Sequence, residues 1–129
     1  MRMGFGKNER LKSQKVLQSV FDNGKALTSY PLKFIYLPLP ACKDSQSQVA
    51  VMVGKKKFKH AVKRNQIKRK IREAYRLNKH LIFNNIEGNY AFLILYIGDD
   101  LPSYETIESS VVSLINKFIT VEKNENADS

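Results

Sequence analysis

The stretch that most constrains the fold is residues 90–97, YAFLILYI, which is apolar at both alternating sets of positions. Successive side chains of a strand point to opposite faces, so a strand of this composition must be covered on both sides. We therefore predict that residues 90–97 form the central strand of a sheet with other elements packed against it.

Two shorter apolar stretches predict neighbouring strands. Residues 32–37 and 48–53 alternate around aromatic and β-branched side chains, and Pro38 and Gly54 follow them directly. Because a polar loop separates the two stretches, we expect them to pair as an antiparallel hairpin.

Apolar side chains at helical spacing predict three helices. The first begins at Ser13 and stops at Asn23-Gly24, the second runs from about Ala61 to residue 79 or 81, and the last follows a capping Ser103. The order is helix, two or three strands, helix, strand, helix. This order predicts an α+β sandwich, with a small mixed sheet and helices packed on it.

The length of the chain suits one domain, because 129 residues that are 43% hydrophobic can form a single core. We expect that domain to span residues 1–129, with the polar, acidic residues 121–129 frayed. One cysteine, Cys42, excludes an internal disulfide, and no ligand cluster predicts a metal site. No apolar stretch reaches the roughly 18 residues of a membrane span, so we expect a cytoplasmic protein without a membrane partner.

The positive charge of the chain is concentrated in residues 54–79. This segment has twelve Lys or Arg and one acid, Glu73, whereas the rest of the chain has ten basic and eleven acidic residues. A solvated helix face is usually served by mixed signs, and uncompensated positive charges repel one another. The local excess therefore favours a polyanionic partner.

On a helix, the basic segment separates into two faces. Ile67, Ile71, Ala74 and Tyr75 form an apolar stripe that is predicted to face the sheet. A polar arc is predicted on the other side, made of Arg64, Asn65, Lys68, Arg69, Arg72 and Arg76. Arginine can pair with phosphate and stack on exposed bases, so this arc predicts binding to RNA.

Within the arc we expect Arg64 and Lys68 to lie beside the apolar stripe, at the seam between helix and sheet. Arg69, Arg72 and Arg76 should point more fully outward. Lys63 and Lys70 lie on the far flank, where generic solubility is their expected role.

The run KKFKHAVKRNQIKRKIREAYR, residues 56–76, resembles the arginine-rich signature of the protein subunit of bacterial ribonuclease P. The shared pattern is A-V-x-R-N-x-x-K-R-x-I-R-x-x-Y/F-R. Arg10-Leu11, Phe21, Gly24 and the closing Ser103-Tyr104-Glu105 also fall where that family has equivalents. The chain departs from the family at Lys59-His60, where many relatives carry Gly-Asn, so the turn before the helix is expected to differ.

The resemblance implies the fold of a ribonuclease P protein, a sandwich shared with a ribosomal protein domain. It also implies an endoribonuclease that removes the 5′ leader of precursor transfer RNA, in which a catalytic RNA carries the chemistry. The partners implied are that RNA and precursor transfer RNA, with no obligate protein partner. Mg²⁺ is the expected cofactor, held mainly by the RNA, and no catalytic residue is expected in the protein.

The resemblance also assigns residues to two surfaces. Those expected to contact the catalytic RNA are Lys56, Lys57, Arg64, Asn65, Lys68, Arg69, Arg72 and Arg76. Those expected to line a cleft for the single-stranded leader, between the basic helix and the sheet, are Leu17, Phe21, Lys33, Phe34 and Tyr36. Bases could stack on the aromatic members of the second set.

Two alternatives share the basic helix and the lack of catalytic residues. One is a ribosomal or other structural RNA-binding protein. The other is a DNA-binding regulator, which is less favoured because the helix carries many cations and no obvious small apolar residue to contact a thymine methyl group.

Overall fold

The computed structural model describes residues 14–39, 47–55 and 58–127. Their elements are α1 Gln14–Asn23, β1 Lys25–Ser29, β2 Leu32–Pro38, β3 Gln48–Val53, α2 Ala61–Asn78, α3 His80–Asn85, β4 Tyr90–Tyr96 and α4 Tyr104–Ala127. The α+β class and the three predicted helices are confirmed. Strand β1 and the short helix α3 were not located from the sequence.

The four strands form one sheet in the order β1-β2-β4-β3. Strand β4 lies in the interior and is buried along most of its length, as predicted. It pairs antiparallel with β2 and parallel with β3. The predicted hairpin of β2 and β3 is therefore wrong. A strand that is apolar on both faces gains most burial between two neighbours, and β4 takes the position that separates β2 from β3.

Helices α2 and α4 cover one face of the sheet. The core on this face includes Ile67 and Ile71 of α2 and a cluster of aromatic rings around Phe118 of α4. The Phe118 ring lies 4.8 Å from that of Tyr36, 5.1 Å from that of Tyr90 and 5.4 Å from that of Phe92, in edge-to-face geometry. Such pairs add to the stabilisation from burial alone.

Helix α1 packs on the opposite face. Its buried Val20 meets Ile35, Ala91 and Leu93. The helix ends at Gly24, whose N–H donates to the Val20 carbonyl oxygen at 2.9 Å. A Cβ atom at Gly24 would lie 2.4 Å from that oxygen and 2.9 Å from the Tyr36 carbonyl oxygen, so only glycine fits where α1 meets β2.

Helix α4 begins with the predicted cap, because the Thr106 N–H donates to Ser103 Oγ at 3.2 Å. At its other end the helix continues through residues 121–127, part of the segment expected to be frayed. Glu122 is buried and accepts a hydrogen bond of 3.0 Å from the Tyr90 hydroxyl. This contact gives the polar end of the chain a partner in the core that periodicity could not reveal.

Candidate nucleic-acid interface

The orientation of α2 is set by its apolar stripe. Ile67, Ile71 and Ala74 are fully buried and Tyr75 is nearly so. These are the four residues predicted to face the sheet. The polar arc on the other side of α2 is thereby turned toward solvent.

The start of α2 is held by Arg64. Its Nη1 donates to the Phe58 carbonyl oxygen at 2.6 Å and to the Lys59 carbonyl oxygen at 2.9 Å. His60, the residue before the helix, has an extended backbone with φ −89° and ψ 127° and makes no side-chain cap. The Lys59-His60 departure therefore needs no left-handed backbone, because any residue can adopt this conformation.

The exposed arc of α2 carries Asn65, Arg69 and Arg72, all of them exposed. Arg64 and Lys68 are half-buried beside the apolar stripe, as predicted for the seam. The Arg64 guanidinium thus has a structural task besides any contact with RNA. The exposed residues offer guanidinium and amide N–H donors, which suit phosphate oxygens and base edges.

Arg76 was predicted to point fully outward, but it is half-buried. It pairs with Glu73, which lies three residues earlier on α2. Arg76 Nε donates to Glu73 Oε2 at 3.1 Å and Nη2 donates to Oε1 at 2.5 Å. This hydrogen bonding lowers the pKa of Glu73 and raises that of Arg76, so the pair stays ionised. Together with Asn65, Arg69 and Arg72, the pair lines a surface pocket of about 330 Å³.

The two lysines on the flank of α2 differ from one another. Lys63 is exposed, as a solubilising residue should be. Lys70 is half-buried, and its Nζ donates to the Pro102 carbonyl oxygen at 2.6 Å. The prediction of a merely solubilising role for Lys70 is wrong, because this bond ties α2 to the loop before α4. Lys56 and Lys57 lie outside the described residues.

The predicted leader cleft is corrected in its place and at two positions, because core side chains fill the space between α2 and the sheet. Phe34 and Tyr36 are 2% and 1% exposed and belong to the core beneath α2 and α4. Their neighbours Lys33, Ile35 and Leu37 point to the other face, toward α1, because side chains alternate along a strand. The sequence alone left the register open, and a shift of one residue exchanges the two faces.

The other predicted cleft residues lie on the α1 side of the sheet. Leu17 is half-buried against Ile35 and its neighbours, Phe21 is 45% exposed and Lys33 is half-buried. Lys33 pairs with Leu95, which in turn pairs with Met52 across the sheet. Met52 is 38% exposed, and sequence reasoning missed it because its strand was assigned to a hairpin.

Neither a metal centre nor a membrane span is found in the part of the chain that the structure describes. No three His, Cys, Asp or Glu side chains in these ranges are grouped so that they could hold a metal ion. In the same ranges, each helix is too short or too polar to cross a bilayer.

Sequence comparison shows the family to which the chain belongs. The sequence profile of the family described as Ribonuclease P matches residues 5–118. The chain belongs to the ribonuclease P protein family. It is 40% identical over 113 residues to the ribonuclease P protein component of Porphyromonas gingivalis, covering 84% of this chain and 81% of that protein. It is 32% identical over 125 residues to the ribonuclease P protein component of Chlorobium phaeobacteroides, covering 87% and 86%.

Solved structures show that the ribonuclease P protein fold is shared. The Staphylococcus aureus RNase P protein superposes with a TM-score of 0.68 at 20% identity, covering 85% of this chain and 94% of that one. The Thermotoga maritima RNase P protein gives the same TM-score and identity, covering 84% and 96%. The α+β sandwich is therefore the architecture of that family.

Proposed function

We propose that this chain is the RNA-binding protein subunit of ribonuclease P and helps a catalytic RNA to remove the 5′ leader of precursor transfer RNA. The observation that carries the proposal is α2, whose buried stripe fixes it on the sheet and whose exposed arc presents Asn65, Arg69 and Arg72 to solvent. Membership of the ribonuclease P family supports it.

The catalytic RNA is the proposed partner of the α2 arc. Each cation that neutralises a phosphate releases bound counterions, so binding should weaken as the salt concentration rises. Mg²⁺ prefers oxygen ligands, which the phosphates of the RNA supply in number, so the RNA itself would hold the Mg²⁺ used in cleavage. The protein would lower the amount of Mg²⁺ that the RNA requires, by supplying positive charge of its own.

The single-stranded leader is proposed to bind on the α1 side of the sheet. Phe21 gives an exposed ring on which a base could stack, and Lys33 gives a charge for the backbone. Met52 extends the same face toward the edge strand β3. The buried Phe34 and Tyr36 support this surface from below and do not contact the leader.

The experiment that tests the proposal is cleavage at low Mg²⁺. The full chain would be added to the ribonuclease P RNA encoded in the same genome, with a precursor transfer RNA as substrate. We expect the protein to restore cleavage at a Mg²⁺ concentration at which the RNA alone is nearly inactive. Unchanged cleavage would refute the proposal, and co-purification with ribosomal particles would favour the ribosomal alternative.

The leader site has its own test. Phe21→Ala and Lys33→Ala should weaken binding of precursor transfer RNA and leave binding of mature transfer RNA unchanged. Loss of one stacked base would lower the affinity by roughly 5- to 150-fold, from about 1 to 3 kcal/mol. Phe83→Ala is a matched control, because Phe83 is 47% exposed on α3. Equal losses for both RNAs would place Phe21 and Lys33 outside a leader site.

A further inference from the structure

Glu73 is the one acid in the basic segment of residues 54–79, and it lies in the middle of the arginine arc. The pocket of about 330 Å³ on this arc is lined by Glu73 together with Asn65, Arg69, Arg72 and Arg76. The guanidinium groups there donate hydrogen bonds only, and the Asn65 amide both donates and accepts. Among the described residues that line the pocket, Glu73 is therefore the one whose side chain only accepts.

The position of the Glu73 carboxylate is fixed by Arg76. Two hydrogen bonds, of 3.1 and 2.5 Å, join the carboxylate to the guanidinium group. The Arg76 contact lowers the pKa of Glu73, so the group is a carboxylate at neutral pH and not a carboxylic acid that could donate. A planar guanidinium fork holds a carboxylate in one orientation better than a lysine would.

The carboxylate keeps acceptor capacity after this pairing. An ionised carboxylate has about four lone-pair positions, and the bonds to Arg76 use one on each oxygen. The Glu73 side chain is 45% exposed, so the remaining positions are accessible from the pocket. A phosphate group offers only acceptors and a like charge, and it would be repelled at this point of the arc.

We propose that Glu73 is a specificity-determining residue of the RNA-binding surface, selecting a nucleotide that donates a hydrogen bond from a base amino group or a ribose 2′-hydroxyl. Arg69 and Arg72 bind the neighbouring phosphates, and Arg76 is the positioning residue for the carboxylate. The inference rests on the proposed function. It adds that Glu73 recognises a base or a sugar, whereas the cations of the arc recognise only the phosphate charge.

The test compares three single strands with the same number of phosphates: oligo(rC), oligo(dC) and an abasic deoxyribose strand. Cytosine offers an amino group, only the ribose strand has a 2′-hydroxyl, and the abasic strand has neither. We expect Glu73→Gln to weaken binding of oligo(rC) by about tenfold, in the range of a single good base contact. Binding of the abasic strand should stay the same or tighten, because a negative charge has been removed.

The response of oligo(dC) identifies the donor. A loss equal to that of oligo(rC) assigns the base amino group, and no loss assigns the 2′-hydroxyl. Glu87→Gln is the matched control, since it removes the same charge from an exposed residue outside the arc. Arg76→Lys should also reduce the preference for oligo(rC) over the abasic strand while the salt dependence is kept, because the charge remains and the fork is lost.

Two results would overturn the inference. One is an equal change for all three strands, which would mean that Glu73 only offsets repulsion among the arginines. The other is a wild-type protein that does not prefer oligo(rC) to the abasic strand. Neither result bears on cleavage at low Mg²⁺, so the proposed function is decided separately. Thermal unfolding of each variant confirms that the fold is intact.

Discussion

Arg64 offers a way to separate the structural and RNA-binding tasks of one side chain. Arg64→Ala removes the hydrogen bonds of 2.6 and 2.9 Å to the Phe58 and Lys59 carbonyl oxygens. Hydrogen bonds to charged groups contribute about 1.5–3 kcal/mol when buried, and Arg64 is only half-buried. We therefore expect a loss of about 2 kcal/mol in the free energy of unfolding. For 129 residues this corresponds to a decrease in Tm of roughly 6–10 °C.

The matched variant is Arg69→Ala, because Arg69 is exposed on the same helix. Its Tm should remain close to wild type, since exposed substitutions usually change stability by less than about 0.5 kcal/mol. Both variants should flatten the dependence of log K on log salt by about 0.7–0.9 for RNA binding, through loss of one phosphate contact each. Thermal unfolding followed by circular dichroism and titration at several salt concentrations measure the two effects.

Part of the binding defect of Arg64→Ala should remain at high salt, because the variant loosens the start of α2 and also removes a charge. The defect of Arg69→Ala should fade as salt rises. If Arg64→Ala unfolds at the wild-type temperature, the two carbonyl contacts do not hold the start of α2. If the two variants lose the same amount of affinity at every salt concentration, Arg64 contributes only charge.

Three further predictions concern the fold beneath the interface. Gly24→Ala should lower the free energy of unfolding in urea by about 3 kcal/mol, because the new Cβ would clash with two backbone oxygens. Gly54→Ala is the control and should not show this loss, because a Cβ there has no atom within 4 Å. Phe118→Ala should lower the free energy of unfolding by about 3–5 kcal/mol, against little change for Phe83→Ala, and equal effects would contradict the aromatic core. Burial raises the pKa of the Tyr96 hydroxyl, so its contribution to stability is complete below about pH 10 and is lost as pH rises through the raised pKa. Tyr96→Phe removes the hydrogen bond to the Asp100 carbonyl oxygen, so its free energy of unfolding at pH 7 should be about 1 kcal/mol below that of the wild type. This difference should become smaller at pH 11. A difference that does not change with pH would show that the titration of Tyr96 is not coupled to folding.

Helical periodicity predicted α2 well, because the apolar residues of a long amphipathic helix can all face the core in only one orientation. Ile67, Ile71 and Ala74 are buried as expected, and the polar arc follows from them. The resemblance carried by residues 56–76 added the family, which composition could not supply. The interaction of Arg76 with Glu73 was missed, although a separation of three residues on a helix is a signal that could have indicated it.

Strand pairing was predicted less well because it depends on contacts between residues far apart in sequence. Nothing local in residues 48–53 indicates that β3 pairs with β4 and not with β2. The sequence also did not determine which face of β2 meets α1. Phe34 and Tyr36 were therefore assigned to a surface, whereas they lie in the core. Lys70 shows the same limit, since its partner, the Pro102 carbonyl oxygen, belongs to a distant loop.

The place of α2 within the parallel connection from β3 to β4 couples RNA occupancy to the folding of the whole sheet. Unfolding of α2 would loosen the crossover that joins the paired strands β3 and β4. The uncompensated charge of the basic segment destabilises the compact chain in isolation, and any polyanion bound to the native state shifts the equilibrium back by mass action. The protein should therefore be least stable when it is newly made and has not met its RNA, at low ionic strength. Its survival in a cell would then follow the supply of that RNA, and excess protein would be the form most exposed to proteolysis.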